Sequence, residues 1–173
     1  MTTEPHDDKL ERADLLETLA THRAFLRQTV RGLSDEQARQ ATTASELCLG
    51  GVIKHVALVE KGWVDFIVNG PDGMGPADEA AADQHAAGFR MSEEETLAGV
   101  VARYEEVARR TDEVVSSLPS FDASQPLPEA PWFEPGARWS ARRVLLHIIA
   151  ETAQHAGHAD IIRESLDGSK TMG

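Results

Sequence analysis

Side chains that could bind a metal ion or move a proton cluster near the end of the chain, in the segment VLLHIIAETAQHAGHADIIRE. They are His147, Glu151, His155 and His158. A helix advances about 100° per residue, so a helical segment would place all four within about 80° on one face. Apolar residues flank that face, which predicts that it points into the protein. Burying imidazoles and a carboxylate in apolar surroundings costs free energy unless a cation compensates them. The pattern therefore predicts a divalent metal site, with zinc or nickel favoured by nitrogen and carboxylate ligands.

Two spacings within this segment compete to supply metal ligands. Glu151 and His155 are four residues apart, the spacing at which two helical side chains reach one metal. His155 and His158, three residues apart, form the competing pair. A further ligand has to come from another helix, and His55 is the candidate, because its context IKHVALVEKGW is otherwise a core-facing stripe. Three protein ligands would leave an open coordination position, which is typical of catalytic zinc.

The other histidines are not assigned to the metal site, and the sequence lacks the common catalytic motifs. His22 lies on the inner stripe of the first helix and is predicted to be a core residue that lines a pocket at most. His6 and His85 lie in polar stretches and are not assigned to the site. The chain has no H-E-x-x-H, G-x-S-x-G, Walker, Rossmann or C-x-x-C motif, so the chemistry of those sites is not indicated.

Helical periodicity describes the elements that must position these side chains. Apolar residues recur at helical spacing in four long stretches, and Ser34 with Gln37 forms a capping box for a short helix near residues 35–40. The predicted long helices are residues 10–31, 49–68, 92–118 and 141–166. Glycine and proline dominate residues 70–90 and 119–138, which predicts two long loops. We therefore expect an all-α, up-down four-helix bundle, a single domain over residues 1–173 with a disordered start at residues 1–8.

Composition excludes several classes of function. Hydrophobic residues make up 41% of the 173 residues and the formal net charge is -12. A surface this acidic repels nucleic acids and anionic lipids, so neither is an expected partner. The chain has no stretch of about 18 apolar residues and its start lacks the features of a signal peptide, which predicts a cytoplasmic protein. Cys48 is the only cysteine, so no internal disulfide can form.

At these residues the sequence resembles the DinB/YfiT-like family of metal-binding four-helix bundles. The resemblance runs over nearly the whole chain, in the order RGLSDEQARQ, then SELCLGGVIKHV with His55 followed by Trp63, then HIIAETAQHAGHADIIRE. It implies a metal site of one histidine from the second long helix and two last-helix residues four apart. In this chain those residues are His55, Glu151 and His155. His158 stands where many members have glutamine, and it remains an alternative third ligand.

The resemblance also implies a function, which we state as an expectation. Family members work largely as thiol S-transferases and isomerases, and the branch similar to maleylpyruvate isomerase uses mycothiol. The expected partners are a low-molecular-weight thiol such as mycothiol or bacillithiol, an electrophilic small molecule and a second copy of the chain in a homodimer. The metal, zinc or nickel, would bind the thiol and lower its pKa. His158 or His147 would have a catalytic role, shuttling a proton or orienting a ligand.

Two alternative functions remain open from the sequence. A metal-dependent hydrolase would use water activated by the metal, with Glu60 or His158 as its base. A non-enzymatic, stress-related metal-binding module would need no nucleophile, and none stands out. For the thiol S-transferase, the two long loops are expected to shape the substrate pocket, with Trp132 and Phe133 in the second loop. Trp132 would either line the pocket or seal that loop.

Overall fold

The structure, a computed structural model, describes residues 5–75 and 87–171, with side chains from residue 9 onward. Helices dominate it, and two short strands lie just before the last helix. The elements are α1 (Pro5–Gln28), α2 (Asp35–Arg39), α3 (Leu49–Asn69), a 3₁₀ helix (Gly70–Met74), α4 (Leu97–Ser117), β1 (Ser124–Pro126), β2 (Arg138–Ser140) and α5 (Ala141–Asp167). The backbone of residues 5–8 belongs to α1, and residues 1–4 lie outside the described part.

The four long helices form a ring in which α1 and α3 each contact both α4 and α5. α3 and α4 run parallel, since Lys54 pairs with Glu95 just before α4 and Asp65 pairs with Arg110 further along both helices. α5 is antiparallel to α3, and α1 is antiparallel to α4. The predicted all-α four-helix bundle is confirmed. Along the bundle axis, α1 and α5 run in one direction and α3 and α4 run in the other, so the helices do not alternate strictly. The long connection before α4 allows this, because the chain can travel the length of the bundle within it.

A layer of buried polar residues divides the apolar core into two clusters. Each long helix contributes one member, namely Arg23, Glu60, Thr111 and Thr152. Glu60 is fully buried, accepts a hydrogen bond from the Arg23 Nε at 3.2 Å and another from the Thr111 hydroxyl at 2.6 Å, and forms an ion pair with Arg23. This contact ties α1, α3 and α4 together at mid-height.

Local capping signals mark the start of α2 and both ends of α5 close to where the sequence predicted them. The Ser34–Gln37 capping box is present in both directions, at 3.2 and 3.0 Å. Ser140 caps α5 by accepting from the Arg143 amide at 3.2 Å, and Gly168 ends that helix in the left-handed region at φ 79°. These interactions satisfy backbone groups that have no partner inside the helix.

The start of α4 is the exception. This helix was predicted to start at residue 92, and the Ser92 amide does donate to the Glu95 carboxylate at 3.0 Å, yet the helix begins only at Leu97. Thr96 is the observed cap, and it accepts from the Gly99 amide at 3.1 Å. The Glu95 carboxylate also forms an ion pair with Lys54 at 3.0 Å, which holds residues 92–96 against α3. A tertiary contact therefore moves the helix start five residues along the chain.

The second predicted loop contains a small antiparallel hairpin. Its register pairs Ser124 with Ser140, Gln125 with Trp139, and Pro126 with Arg138. The sequence did not predict these strands, because three-residue strands show no sustained alternation. The hairpin matters for the site, since it fixes Trp139 directly before α5. Among the described residues, no helix is long and apolar enough to cross a membrane.

Candidate metal centre

The antiparallel packing of α3 and α5 brings the predicted metal ligands together. His55 from α3 and His155 from α5 are both buried, with ring centroids 4.7 Å apart at an interplanar angle of 67°. Glu151 lies one turn before His155, and its Oε2 is 3.6 Å from the His155 Nε2. One ligand atom from each residue lies within 4.8 Å of the others. The three residues therefore form a group that could hold a metal ion.

The donor set and its spacing fit a divalent cation. Bonds of about 2.1 Å in a tetrahedral zinc site place neighbouring ligand atoms about 3.4 Å apart. The Glu151–His155 separation already matches that value, and small side-chain rotations would close the rest. The side chain of Glu151 keeps 27% of its surface exposed. The site is thus buried on its histidine side and open to solvent on its carboxylate side.

Burial also prepares His155 to act as a ligand. Desolvation lowers the pKa of His155 below its usual value of 6.5, the neighbouring His158 adds to this, and the charge of Glu151 opposes it. A lowered pKa keeps the imidazole neutral near pH 7. Neutral imidazole is the form that binds metals, so protons compete less for this nitrogen.

His158 lies on the opposite side of the His155 ring from the carboxylate. Its Nδ1 is 3.4 Å from the Nδ1 of His155, whereas the Nε2 of His155 faces Glu151. The group that could hold a metal contains Glu151 and does not include His158. Of the two alternatives for the third ligand, this geometry favours Glu151. It leaves His158 as a hydrogen-bond partner of His155, a candidate ligand.

Two tryptophans hold His147 beside the carboxylate. Trp63 from α3 and Trp139 from β2 stack at 4.7 Å with an interplanar angle of 12°. Both meet the His147 ring edge to face, at 4.9 and 5.3 Å. The His147 Nε2 is 3.9 Å from the Glu151 Oε1, which is too long for a direct hydrogen bond. Desolvation lowers the pKa of His147, with the charge of Arg143 adding to this effect and that of Glu151 opposing it.

An aromatic ring that the sequence analysis missed covers His55. Phe89 stacks on the His55 imidazole at 3.7 Å and 19°, and its centroid is 6.0 Å from that of His155. The glycines that open α3 explain how it reaches this position. A Cβ on Gly51 would lie 1.8 Å from the Phe89 carbonyl oxygen, and one on Gly50 would lie 2.4 Å from the Met91 sulfur. The paired glycines were the available signal, because glycine in a helix often marks close backbone approach.

The remaining sequence candidates lie elsewhere or are engaged otherwise. His22 is half-buried against Phe25 on α1 and is not in the group that could hold a metal. Glu60, considered as a base for a hydrolase, is buried and paired with Arg23 in the core, outside that group. Trp132 is 71% exposed and does not seal its loop. The side chain of His6 and all of His85 lie outside the described residues.

Comparison with known proteins identifies the family of the chain. A model of the family Mycothiol-S-transferase matches residues 14–168. The chain belongs to the mycothiol-S-transferase family. The resemblance to the DinB/YfiT-like proteins is thereby confirmed. A solved structure, described as the conserved protein of locus from Enterococcus faecalis, is similar with a TM-score of 0.57 and 13% identity, covering 90% of this chain and 96% of that one. At that identity it supports the fold alone. Comparison with curated proteins finds no significant match.

Proposed function

We propose that the protein is a metal-dependent mycothiol S-transferase that joins the thiol to an electrophilic small molecule. The observation that carries the proposal is the convergence of His55, Glu151 and His155 in a member of this family. Zinc is the metal we favour, because two imidazoles and one carboxylate are a common catalytic zinc set with an open fourth position. Zinc bound there would hold the thiol sulfur and lower the pKa of the thiol, so that a thiolate forms near pH 7.

The residues of the chain divide the remaining work. His55 and His155 supply nitrogens from buried positions that exclude water on that side. His158 fixes which nitrogen of His155 faces the site, by bonding the other one. The Nε2 of His147 is held beside Glu151 at the open edge, where a neutral imidazole can accept the proton that a thiol releases.

Metal analysis and a thiol-consumption assay test the proposal. Protein purified without a histidine tag should contain near-stoichiometric zinc, and His55→Ala and Glu151→Ala should lose it. The zinc-loaded protein should consume mycothiol in the presence of a panel of electrophiles, and the two variants should not. A wild type that binds no zinc, even when zinc is supplied, would overturn the metal site.

The same assays separate the alternatives. Turnover without any thiol would indicate a metal-dependent hydrolase instead of a transferase. Stoichiometric zinc with no reaction on any electrophile would indicate a metal-binding module. The matched control is Arg109→Ala, which removes an exposed ion-pair residue of α4 and should leave both zinc content and activity unchanged.

A further inference from the structure

A cavity of about 340 Å³ lies between α1 and α4. The candidate metal ligands belong to the other pair of long helices, α3 and α5, so this cavity is on the opposite side of the bundle. Each of its two helices contributes an alanine to the lining, Ala20 from α1 and Ala108 from α4. The volume falls within the range of about 300–1,000 Å³ that small-molecule sites occupy. Small side chains at these positions therefore leave room for a ligand.

The buried guanidinium of Arg23 forms part of the cavity wall. Its Nε and Nη2 donate to Glu60, and its Nη1 donates to Asp112 at 2.8 Å. A guanidinium has five N–H groups. Two of those of Arg23, one on each terminal nitrogen, therefore have no hydrogen bond to a described residue. A ligand oxygen that reaches this side of Arg23 finds donors already in place.

Asp112 is the exchangeable one of the two carboxylates on Arg23. Its side chain is 49% exposed, whereas that of Glu60 is fully buried. Asp112 can turn into water at small cost, but Glu60 cannot. Glu60 occupies the Nε side of the guanidinium, so a displaced Asp112 frees the edge formed by Nη1 and Nη2. A carboxylate can bind such an edge with both of its oxygens.

The charges around the cavity favour an anion. Two acidic residues line it, Glu105 and Asp112, against three arginines, Arg23, Arg27 and Arg109. The side chains of Arg27 and Arg109 are 41% and 58% exposed, which places them at the rim. The chain as a whole has a net charge of -12, so this excess of positive charge is local. An anion is attracted here, whereas most of the surface repels it.

The remaining wall is made of carbon atoms. It consists of Ala20, Ala108 and the buried Tyr104. An inorganic anion such as phosphate leaves this apolar surface uncovered. An organic acid covers it and gains the free energy of apolar burial in addition to its hydrogen bonds. The lining therefore suits a carboxylate attached to an apolar body.

We propose that this cavity is a second ligand site, which binds a small organic carboxylate with an apolar body. The carboxylate replaces Asp112 on the Nη1–Nη2 edge of Arg23, and the body packs on Ala20 and Ala108. One carboxylate is exchanged for another, so the buried Arg23 keeps its charge compensation. The site goes beyond the proposed transferase function and does not depend on it, because it shares no residue with the metal centre.

Titration of the full chain with benzoate tests the site. Benzoate has a carboxylate on an apolar ring, and benzamide is its uncharged counterpart of similar shape. On ¹⁵N-labelled protein, benzoate should cause saturable shifts of the Arg23 Nε–H signal and of the backbone amides that line the cavity. Benzamide should bind roughly tenfold more weakly or worse, because it lacks charge-assisted hydrogen bonds. Ala108→Leu fills the cavity and should weaken benzoate binding by a similar factor.

A charge variant tests the exchange on Arg23. Asp112→Asn removes the competing charge and should tighten benzoate binding roughly three- to tenfold. Glu164→Gln is the matched control, because it makes the same change of net charge at an exposed site on α5, outside the cavity lining. It should bind benzoate as the wild type does.

Every other result overturns the proposal. Absence of saturable benzoate binding, equal affinity for benzoate and benzamide, or wild-type affinity in Ala108→Leu would each do so. Equal tightening by Asp112→Asn and Glu164→Gln would indicate a general charge effect instead of an exchange on Arg23. Inorganic phosphate that binds as tightly as benzoate would indicate capture by the rim alone. Melting temperatures identify a misfolded Ala108→Leu, in which case Ala20→Leu takes its place and decides. Zinc content and thiol consumption are measured separately, so failure of the transferase proposal leaves this site standing.

Discussion

Replacement of His158 distinguishes a ligand of the metal from a residue that orients a ligand. The Nε2 of His155 faces Glu151 at 3.6 Å, and the Nδ1 on the other side of the ring lies 3.4 Å from His158. If the metal binds Nε2, the proton of the His155 ring sits on Nδ1 and is donated to His158. His158→Leu removes the acceptor, and His158→Gln replaces it with an amide oxygen.

The expected size of the effect follows from this indirect role. Loss of a group that orients a metal ligand typically lowers metal affinity about 10- to 100-fold, or roughly 1.4–2.8 kcal/mol. The loss of zinc affinity in His158→Leu should fall in that range, and His158→Gln should keep most of the wild-type affinity. Glu151→Ala removes a predicted ligand itself, so its zinc affinity should fall by more than 100-fold. The ranking of these three variants is the prediction.

Zinc competition against a chromophoric chelator at pH 7.5 measures the affinities. Imidazole ¹⁵N NMR on zinc-loaded protein reports the tautomer directly, and His155 should carry its proton on Nδ1 in the wild type and in His158→Gln. Melting temperatures of the metal-free variants control for folding. The reasoning is refuted if His158→Leu and Glu151→Ala lose zinc equally and glutamine does not rescue, since His158 would then be a ligand. Wild-type affinity in His158→Leu would refute it as well.

Three further predictions concern stability. Glu60→Leu should lower the free energy of unfolding by about 3 kcal/mol and Tm by roughly 6–12 °C, because it leaves the buried Arg23 without its main partner. The double variant Arg23→Met with Glu60→Leu should recover most of that stability. A double variant as unstable as the single one in thermal unfolding would contradict this. Gly157→Ala should raise the free energy of unfolding in urea by about 1 kcal/mol, because nothing lies within 4 Å of the new Cβ. Gly51→Ala should lower that free energy, because the new Cβ would clash with the Phe89 carbonyl. The reverse order of stability would be inconsistent with the packing of the Phe89 segment. The folded-state pKa of His147 lies below its usual 6.5, so the unfolded chain binds the proton first as pH falls. Metal-free protein should therefore lose stability from about pH 7 to pH 5, and His147→Gln should flatten that slope in thermal melts; an unchanged slope would mean that this imidazole does not contribute.

Much of the fold is visible in local sequence. Helical periodicity and caps are local properties, since the residues that satisfy them lie within one or two turns. The last helix shows this best: Ser140 caps it, Gly168 ends it, and its predicted and observed bounds agree within one residue. The face shared by Glu151 and His155 is equally local, because a four-residue spacing in a helix fixes it.

Tertiary packing decided the rest of the site. Whether Glu151 or His158 completes the group with His55 depended on which side of the His155 ring faces α3, and no spacing along the chain contains that information. The same holds for Phe89, which reaches the site through a close approach of two segments distant in sequence.

The direction of α4 and the buried partner of Glu60 also depend on packing between helices. The sequence by itself determined which stretches form helices, the caps of α2 and α5, and the face on which the histidines of the last helix lie, because these arise from interactions among near neighbours. Only the tertiary structure decided which residues meet across helices, because those contacts depend on how four apolar faces pack together and on the long connection between α3 and α4.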